Sequence, residues 1–207
     1  MDKLSLWMIL LLVVGLGGCS SGSGTTQSGG SSTNASSSQQ KIVFTGASTI
    51  ARGDWSSYFG ISIDNKAVGG IESTELKNNI EGQVASKPNK IFLSIGTNNI
   101  LNRHEGVLIS DISSIIDKIK TASPTTKIYF MSILPIRDTF SCTLVEMYNP
   151  QIESKCNSRG VTFISIYSLF KTSSGINETY YLTDGIHLTD AGYQVYANAI
   201  RSYVFSS

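Results

Sequence analysis

Five short runs rich in β-branched residues alternate with stretches whose apolar side chains return at helical spacing, and this alternation leaves the chain few architectures to choose from. The runs are residues 41–46, 61–64, 90–96, 127–134 and 161–166, each closed by a polar or turn segment, which is how buried strands read. Between them, residues 71–83, 108–120 and 144–157 carry apolar positions such as Ile109, Ile112, Ile116 and Ile119, which fall on one face of a helix. A last helix is expected over 191–204. Strands that alternate with helices lie parallel, because a parallel connection needs a crossover and the helix supplies it. The expected fold is therefore α/β: a three-layer α/β/α sandwich around a central five-stranded parallel sheet.

That domain occupies residues 41–207, without internal repeats. Ahead of it, Met1-Asp2-Lys3 leads into an apolar stretch that ends at Gly18. The stretch is about 15 residues long, short of the roughly 20 that span a bilayer, and residues 1–18 read as an export signal. Residues 20–40 contain only Ser, Gly, Thr, Gln, Asn and Ala. With nothing to bury, they read as a flexible tether spanning on the order of 25 Å. Leu16-Gly17-Gly18-Cys19 resembles the lipobox of bacterial lipoproteins. The resemblance implies that Cys19 becomes the lipidated mature N-terminus, anchoring the protein to the bacterial cell envelope through residues 19–40. Ser20, rather than aspartate, would favour the outer membrane in a Gram-negative cell.

Sixteen basic residues against 15 acidic ones give a net charge of +1, without the basic stripe that a phosphate backbone requires. Nucleic acid is not an expected partner. A small, weakly charged ligand suits the chain better, and in an open parallel sheet it binds outside the C-terminal strand ends, where loops and helix N-termini converge. Three polar clusters follow the first three strands: Gly46-Ala47-Ser48-Thr49, Val68-Gly69-Gly70 and Gly96-Thr97-Asn98-Asn99. Taken singly, Ser48 reads as a helix cap, Gly69-Gly70 as a turn and Asn98 as a local backbone partner.

The chain has two histidines, His104 and His187. His104 lies in a polar loop and reads as a surface residue, whereas His187 has Asp184 three residues before it. A serine hydroxyl needs a base to become a nucleophile. A carboxylate on the far ring nitrogen fixes the tautomer of that base and stabilises its imidazolium. Ser48, His187 and Asp184 together supply these parts.

At this point the residues resemble the SGNH, or GDSL, hydrolase superfamily, whose four blocks occur here in order. They are Phe44-Thr45-Gly46-Ala47-Ser48, Asn65-Lys66-Ala67-Val68-Gly69-Gly70, Ile95-Gly96-Thr97-Asn98-Asn99, and Asp184-Gly185-Ile186-His187 continuing to Tyr193. The resemblance implies a flavodoxin-like fold, a Ser48–His187–Asp184 triad, and an oxyanion hole from the Ser48 and Gly70 N–H groups and the Asn98 amide. It implies no cofactor and no metal. Two positions depart from the usual pattern: Ala47 and Asn99 stand where aspartate is common. The α/β-hydrolase alternative is disfavoured, since Gly46-Ala47-Ser48-Thr49-Ile50 lacks the second glycine of the nucleophile elbow.

The implied activity is a serine esterase acting on short-chain esters, acetyl above all, of carbohydrate or cell-wall glycan, because no long apolar insertion is present to cover a fatty chain. A lysophospholipase is the alternative within the enzyme class. A non-catalytic phosphate- or flavin-binding lipoprotein is the alternative outside it, with a phosphate held at the Thr45–Thr49 turn. Trp55, Tyr58 and Phe59 follow the nucleophile and read more readily as core than as a sugar platform. With Cys19 assigned to lipid, Cys142 and Cys156 are expected to form a disulfide, two buried free thiols being the alternative.

Overall fold

The computed structural model describes residues 40–207. The export signal, Cys19 and all but the last residue of the tether lie outside the described residues. The domain runs β1 (Ile42–Gly46), α1 (Ser48–Ala51), α2 (Trp55–Phe59), β2 (Asp64–Asn65), α3 (Ser73–Gln83), β3 (Lys90–Ser94), α4 (Thr97–Leu101) and α5 (Leu108–Ala122). It continues through β4 (Lys127–Met131), α6 (Thr139–Asn157), β5 (Thr162–Ile164), β6 (Lys171–Thr172), β7 (Gly175–Ile176) and α7 (Asp190–Phe205). Five strands form one parallel sheet in the order β2-β1-β3-β4-β5, a doubly wound arrangement with its order reversing at β1 and β3. A small antiparallel β6–β7 hairpin follows.

The period of two along each strand sorts the core into two layers. Val43, Ile91 and Ile128 stand in register on one face and pack against α3, α5 and α6 through Leu76, Ile112 and Val145. Phe44, Phe92 and Tyr129 stand in register on the other, with ring centroids 4.8 and 4.6 Å apart. This second layer takes in Trp55 and Phe59 together with Tyr196 and Ile200 of α7. Trp55 and Phe59 are thus core, and Trp55 donates its indole N–H to the Ile50 carbonyl at 2.8 Å. Lys90, fully buried in β3, donates to the carbonyls of Tyr203 and Val204 at 3.0 and 2.9 Å. Its ammonium caps the C-terminus of α7, where a positive charge is favoured.

The expected disulfide is overturned. Helix α6 begins at Thr139 rather than 144, because the Asp138 carboxylate accepts the Ser141 N–H at 2.8 Å and opens the helix there. Cys142 and Cys156 then lie on one continuous helix and are free thiols. Their separation along the helix is about 21 Å at 1.5 Å per residue, roughly three times the largest Cα spacing a disulfide bridges.

Candidate active site

Strand β1 ends in a backbone that only glycine can adopt. Gly46 has φ +134°, and a Cβ placed on it would stand 1.9 Å from the Ser94 carbonyl oxygen of β3. The close approach lets the Ala47 N–H reach that same oxygen at 3.1 Å and turns the chain directly into α1, whose first residue is Ser48. Its N–H, in the first helical turn, has no acceptor within the helix. Ala47 is buried among Leu76, Leu93 and Ile95, so the departure from aspartate leaves an apolar contact behind the serine.

Strand β2 is only two residues long, yet its pairing with β1 continues: Lys66 N–H donates to the Phe44 carbonyl at 2.8 Å and Val68 N–H to Gly46 at 3.0 Å. This delivers the next glycines beside Ser48. A Cβ on Gly69 would lie 4.0 Å from Ser48 Cβ, and Gly70 has φ +82°, in the left-handed region that favours glycine.

After β3, Gly96 opens α4, and Asn98 donates one amide N–H to the Ile71 carbonyl at 2.8 Å, leaving its second N–H uncommitted there. Asn99, completely buried, accepts the Ser73 N–H and donates to Ser73 Oγ, both at 3.0 Å. Ser73 Oγ and Thr74 Oγ1 in turn donate to Asp111 at 2.9 and 2.7 Å, and Lys77 pairs with the same carboxylate. The loops bearing Gly70 and Asn98 are therefore stitched together below the surface. The sequence reading missed this network. Its signal was a carboxylate on the buried stripe Leu108, Asp111, Ile112, Ile115 of α5.

At the far end of the domain the chain forms a tight turn before α7. Leu182 N–H donates to the His187 carbonyl at 2.7 Å and Gly185 N–H to Leu182 at 2.9 Å. Asp184 sits inside this turn. Its Oδ1 accepts the N–H groups of Ile186 and His187, both at 2.9 Å, and its Oδ2 lies 2.7 Å from His187 Nδ1. Burial pushes the Asp184 carboxyl up, but these three hydrogen bonds and the imidazole outweigh it and bring it down to about 2.

The other ring nitrogen, His187 Nε2, stands 3.1 Å from Ser48 Oγ. Residues 139 positions apart in the chain thus share one hydrogen bond. An imidazole held between a carboxylate and a hydroxyl is placed to take the hydroxyl proton and return it to a leaving group. His104 instead faces the Glu72 carboxylate at 3.0 Å on an exposed surface. Among the described residues no group of three or more His, Cys, Asp or Glu side chains could hold a metal ion.

A three-layer α/β/α domain with this strand order is the fold of the SGNH-type ester hydrolases. The chain belongs to the GDSL-like lipase/acylhydrolase family, which matches residues 29–195. Solved structures with the same fold include a candidate platelet activating factor from Streptococcus pneumonia, 24% identical with a TM-score of 0.74 over 83% of this chain and 87% of that one. A GDSL-like lipase from Bacteroides thetaiotaomicron is 20% identical with a TM-score of 0.71, covering 80% and 87%. An acetyl xylan esterase from Geobacillus stearothermophilus is 17% identical with a TM-score of 0.66, covering 81% and 96%. No curated protein sequence matches the chain. The chain is an ester-hydrolysing enzyme of this family.

Proposed function

We propose that this enzyme is a serine esterase that removes short acyl groups, acetyl above all, from carbohydrate or cell-wall glycan. Ser48 is the nucleophile, His187 the base and Asp184 its orienting acid. The observation that carries the reading is the single line of contacts from Asp184 Oδ2 through His187 to Ser48 Oγ, at 2.7 and 3.1 Å. In the reaction, Ser48 Oγ bonds to the ester carbonyl carbon as its proton passes to His187 Nε2. The Ser48 and Gly70 N–H groups and the Asn98 amide receive the oxyanion. Collapse of the tetrahedral species breaks the ester bond, and the departing alcohol takes the proton from His187. Water then releases the acyl group from Ser48 by the same steps. The domain carries no long apolar insertion to cover a fatty chain, which favours a small acyl group, and the acetyl xylan esterase among the structural neighbours is in keeping with that choice.

The test is hydrolysis of 4-nitrophenyl acetate against longer-chain esters, then of acetylated sugars against lysophospholipids. Ser48→Ala and His187→Ala are each expected to lower kcat by about 10⁴-fold or more. Unchanged turnover in either variant refutes the triad, and preference for lysophospholipid refutes the glycan assignment. The same proposal places the enzyme at the cell envelope, lipidated on Cys19 and tethered through 19–40. Cys19→Ser is expected to move it from the membrane to the soluble fraction with esterase turnover intact, and continued membrane retention argues for an uncleaved helix.

A further inference from the structure

Between β4 and α6 the chain passes close to the Asp184–His187 turn, and Arg137 is the residue that bridges the two. Its backbone N–H donates to the Gly185 carbonyl at 3.1 Å, and its Nη1 donates to the Thr183 carbonyl. Those are the carbonyls on either side of Asp184. The rest of the guanidinium is held by Glu178, with Nε donating to Oε1 at 3.1 Å and Nη2 to Oε2. Gly185, in the left-handed region at φ +67°, has no room for a side chain: a Cβ would stand 2.5 Å from Arg137 Cβ and 3.1 Å from both Cζ and Nε. The arginine side chain therefore packs directly on the turn that carries the carboxylate and the imidazole.

An exposed ion pair contributes little to stability, and the Arg137 and Glu178 side chains are 41% and 64% exposed. Stability is thus a poor reason for a two-pronged arginine at this place. Orientation is a better one. The planar fork of a guanidinium loses little freedom when both prongs are engaged, and here one prong grips the turn while the other is pinned from outside. A second anchor lies next to it, where the Tyr181 hydroxyl donates to the Pro135 carbonyl at 2.8 Å in a buried position.

We propose that Arg137, braced by Glu178, is a positioning residue that holds the backbone on both sides of Asp184 and so keeps its carboxylate aimed at His187 Nδ1. The inference rests on the triad reading above. Arg137 touches neither the serine nor the oxyanion donors in the contacts described, so it acts through the turn and not on the substrate.

The experiment uses the full chain with Arg137→Gln, Arg137→Lys and Glu178→Gln, assayed for kcat and KM on 4-nitrophenyl acetate. The low-field proton NMR signal of the His187–Asp184 hydrogen bond is recorded alongside. Misplacing the base by a fraction of an ångström is expected to lower kcat on the order of tenfold with KM unchanged in Arg137→Gln. The low-field signal is expected to broaden or shift. Lysine keeps the charge and lacks the fork, so Arg137→Lys is expected to recover only part of the loss. Glu178→Gln retains the arginine, folds even where Arg137→Gln does not, and is expected to lose a few-fold in kcat. A kcat within twofold of the parent in both Arg137→Gln and Glu178→Gln, with the low-field signal unmoved, overturns the proposal. A rise in KM at constant kcat overturns it as well, since that marks a substrate contact. His187→Ala separates the two levels: if it stays active the triad itself fails, whereas an inactive His187→Ala beside unaffected arginine and glutamate variants sinks only the role given to Arg137.

Discussion

Replacing Asp184 by asparagine keeps the size and shape of the side chain but exchanges one charged carboxylate oxygen for an NH₂ donor, which makes it the sharpest test of the site. Asp184 Oδ1 receives two backbone N–H groups at 2.9 Å, so an amide NH₂ cannot occupy that position without facing two donors. The asparagine oxygen must take it, and the NH₂ is left pointing at His187 Nδ1, 2.7 Å away in the parent. Nδ1 then has to accept a hydrogen bond, and the single ring proton moves to Nε2, where it faces Ser48 Oγ. The imidazole becomes a donor to the hydroxyl it should deprotonate. A wrong tautomer in otherwise intact geometry costs about 10⁴-fold in kcat in enzymes built this way, or roughly 5 kcal/mol of barrier at 1.36 kcal/mol per decade. The turn keeps both backbone hydrogen bonds but loses a carboxylate whose lowered pKa stabilises the fold near neutral pH; with the side chain partly exposed, a modest fall in melting temperature is expected beside the large loss of turnover. Steady-state hydrolysis of 4-nitrophenyl acetate by the purified variant, beside a melting curve, measures both quantities. Turnover within tenfold of the parent would refute the tautomer argument.

Two further outcomes follow from the packing. Asp111 is 3% exposed and receives Ser73, Thr74 and Lys77, so Asp111→Ala should lower unfolding free energy by about 3 kcal/mol in urea titration, since a paired buried charge is removed. Burial pushes its carboxyl up, but the hydrogen bonds from Lys77, Thr74 and Ser73 and the lysine charge more than reverse this, leaving it below its ordinary value. A depressed carboxylate stabilises the fold above its unfolded pKa and loses that contribution as pH falls through the folded one. Parent and Asp111→Ala stabilities should therefore converge on acidification below about pH 4; a constant difference down to pH 2 argues against the charge. Among the thiols, Cys142 is partly exposed, while Cys156 is fully buried and pushed up to about 12, chiefly by burial. Ellman's reagent should label Cys142 in the native protein and Cys156 only after denaturation, and reductant should leave the melting temperature unchanged.

Much of this arrangement is legible in the sequence, and what escapes it does so for identifiable physical reasons. The long strands and helices announce themselves through periodicity, whereas Ser48, Gly70, Asn98, Asp184 and His187 stand out only through the four motif blocks taken together, of which the structure brings Ser48, His187 and Asp184 within hydrogen-bond reach. Helices α1, α2 and α4 are four or five residues long, too short for a period to register. The β2 strand shrank from the expected four residues to two because its pairing with β1 continues through an irregular backbone. The expected disulfide fails on a local matter: the Asp138 cap extends α6 back over Cys142 and puts it on one helix with Cys156. Asn99, Ser73 and Asp111 find one another across 26 and 38 residues, and Arg137 meets Glu178 across 41. Such distant partnerships show at most one member locally, as with Asp111 on the buried stripe of α5, and never the partner.

The long reach between Ser48 and His187 has a temporal side. A ribosome that has made β1 through β5 has already supplied Ser48, the network around Asp111 and every strand of the central sheet, but neither Asp184 nor His187. Closing so long a stretch of chain carries an entropic cost that contacts nearer in sequence do not. If the proposed triad holds, a truncated or half-docked chain is chemically silent, and the first turnover reports that the turn before α7 has reached the end of β1.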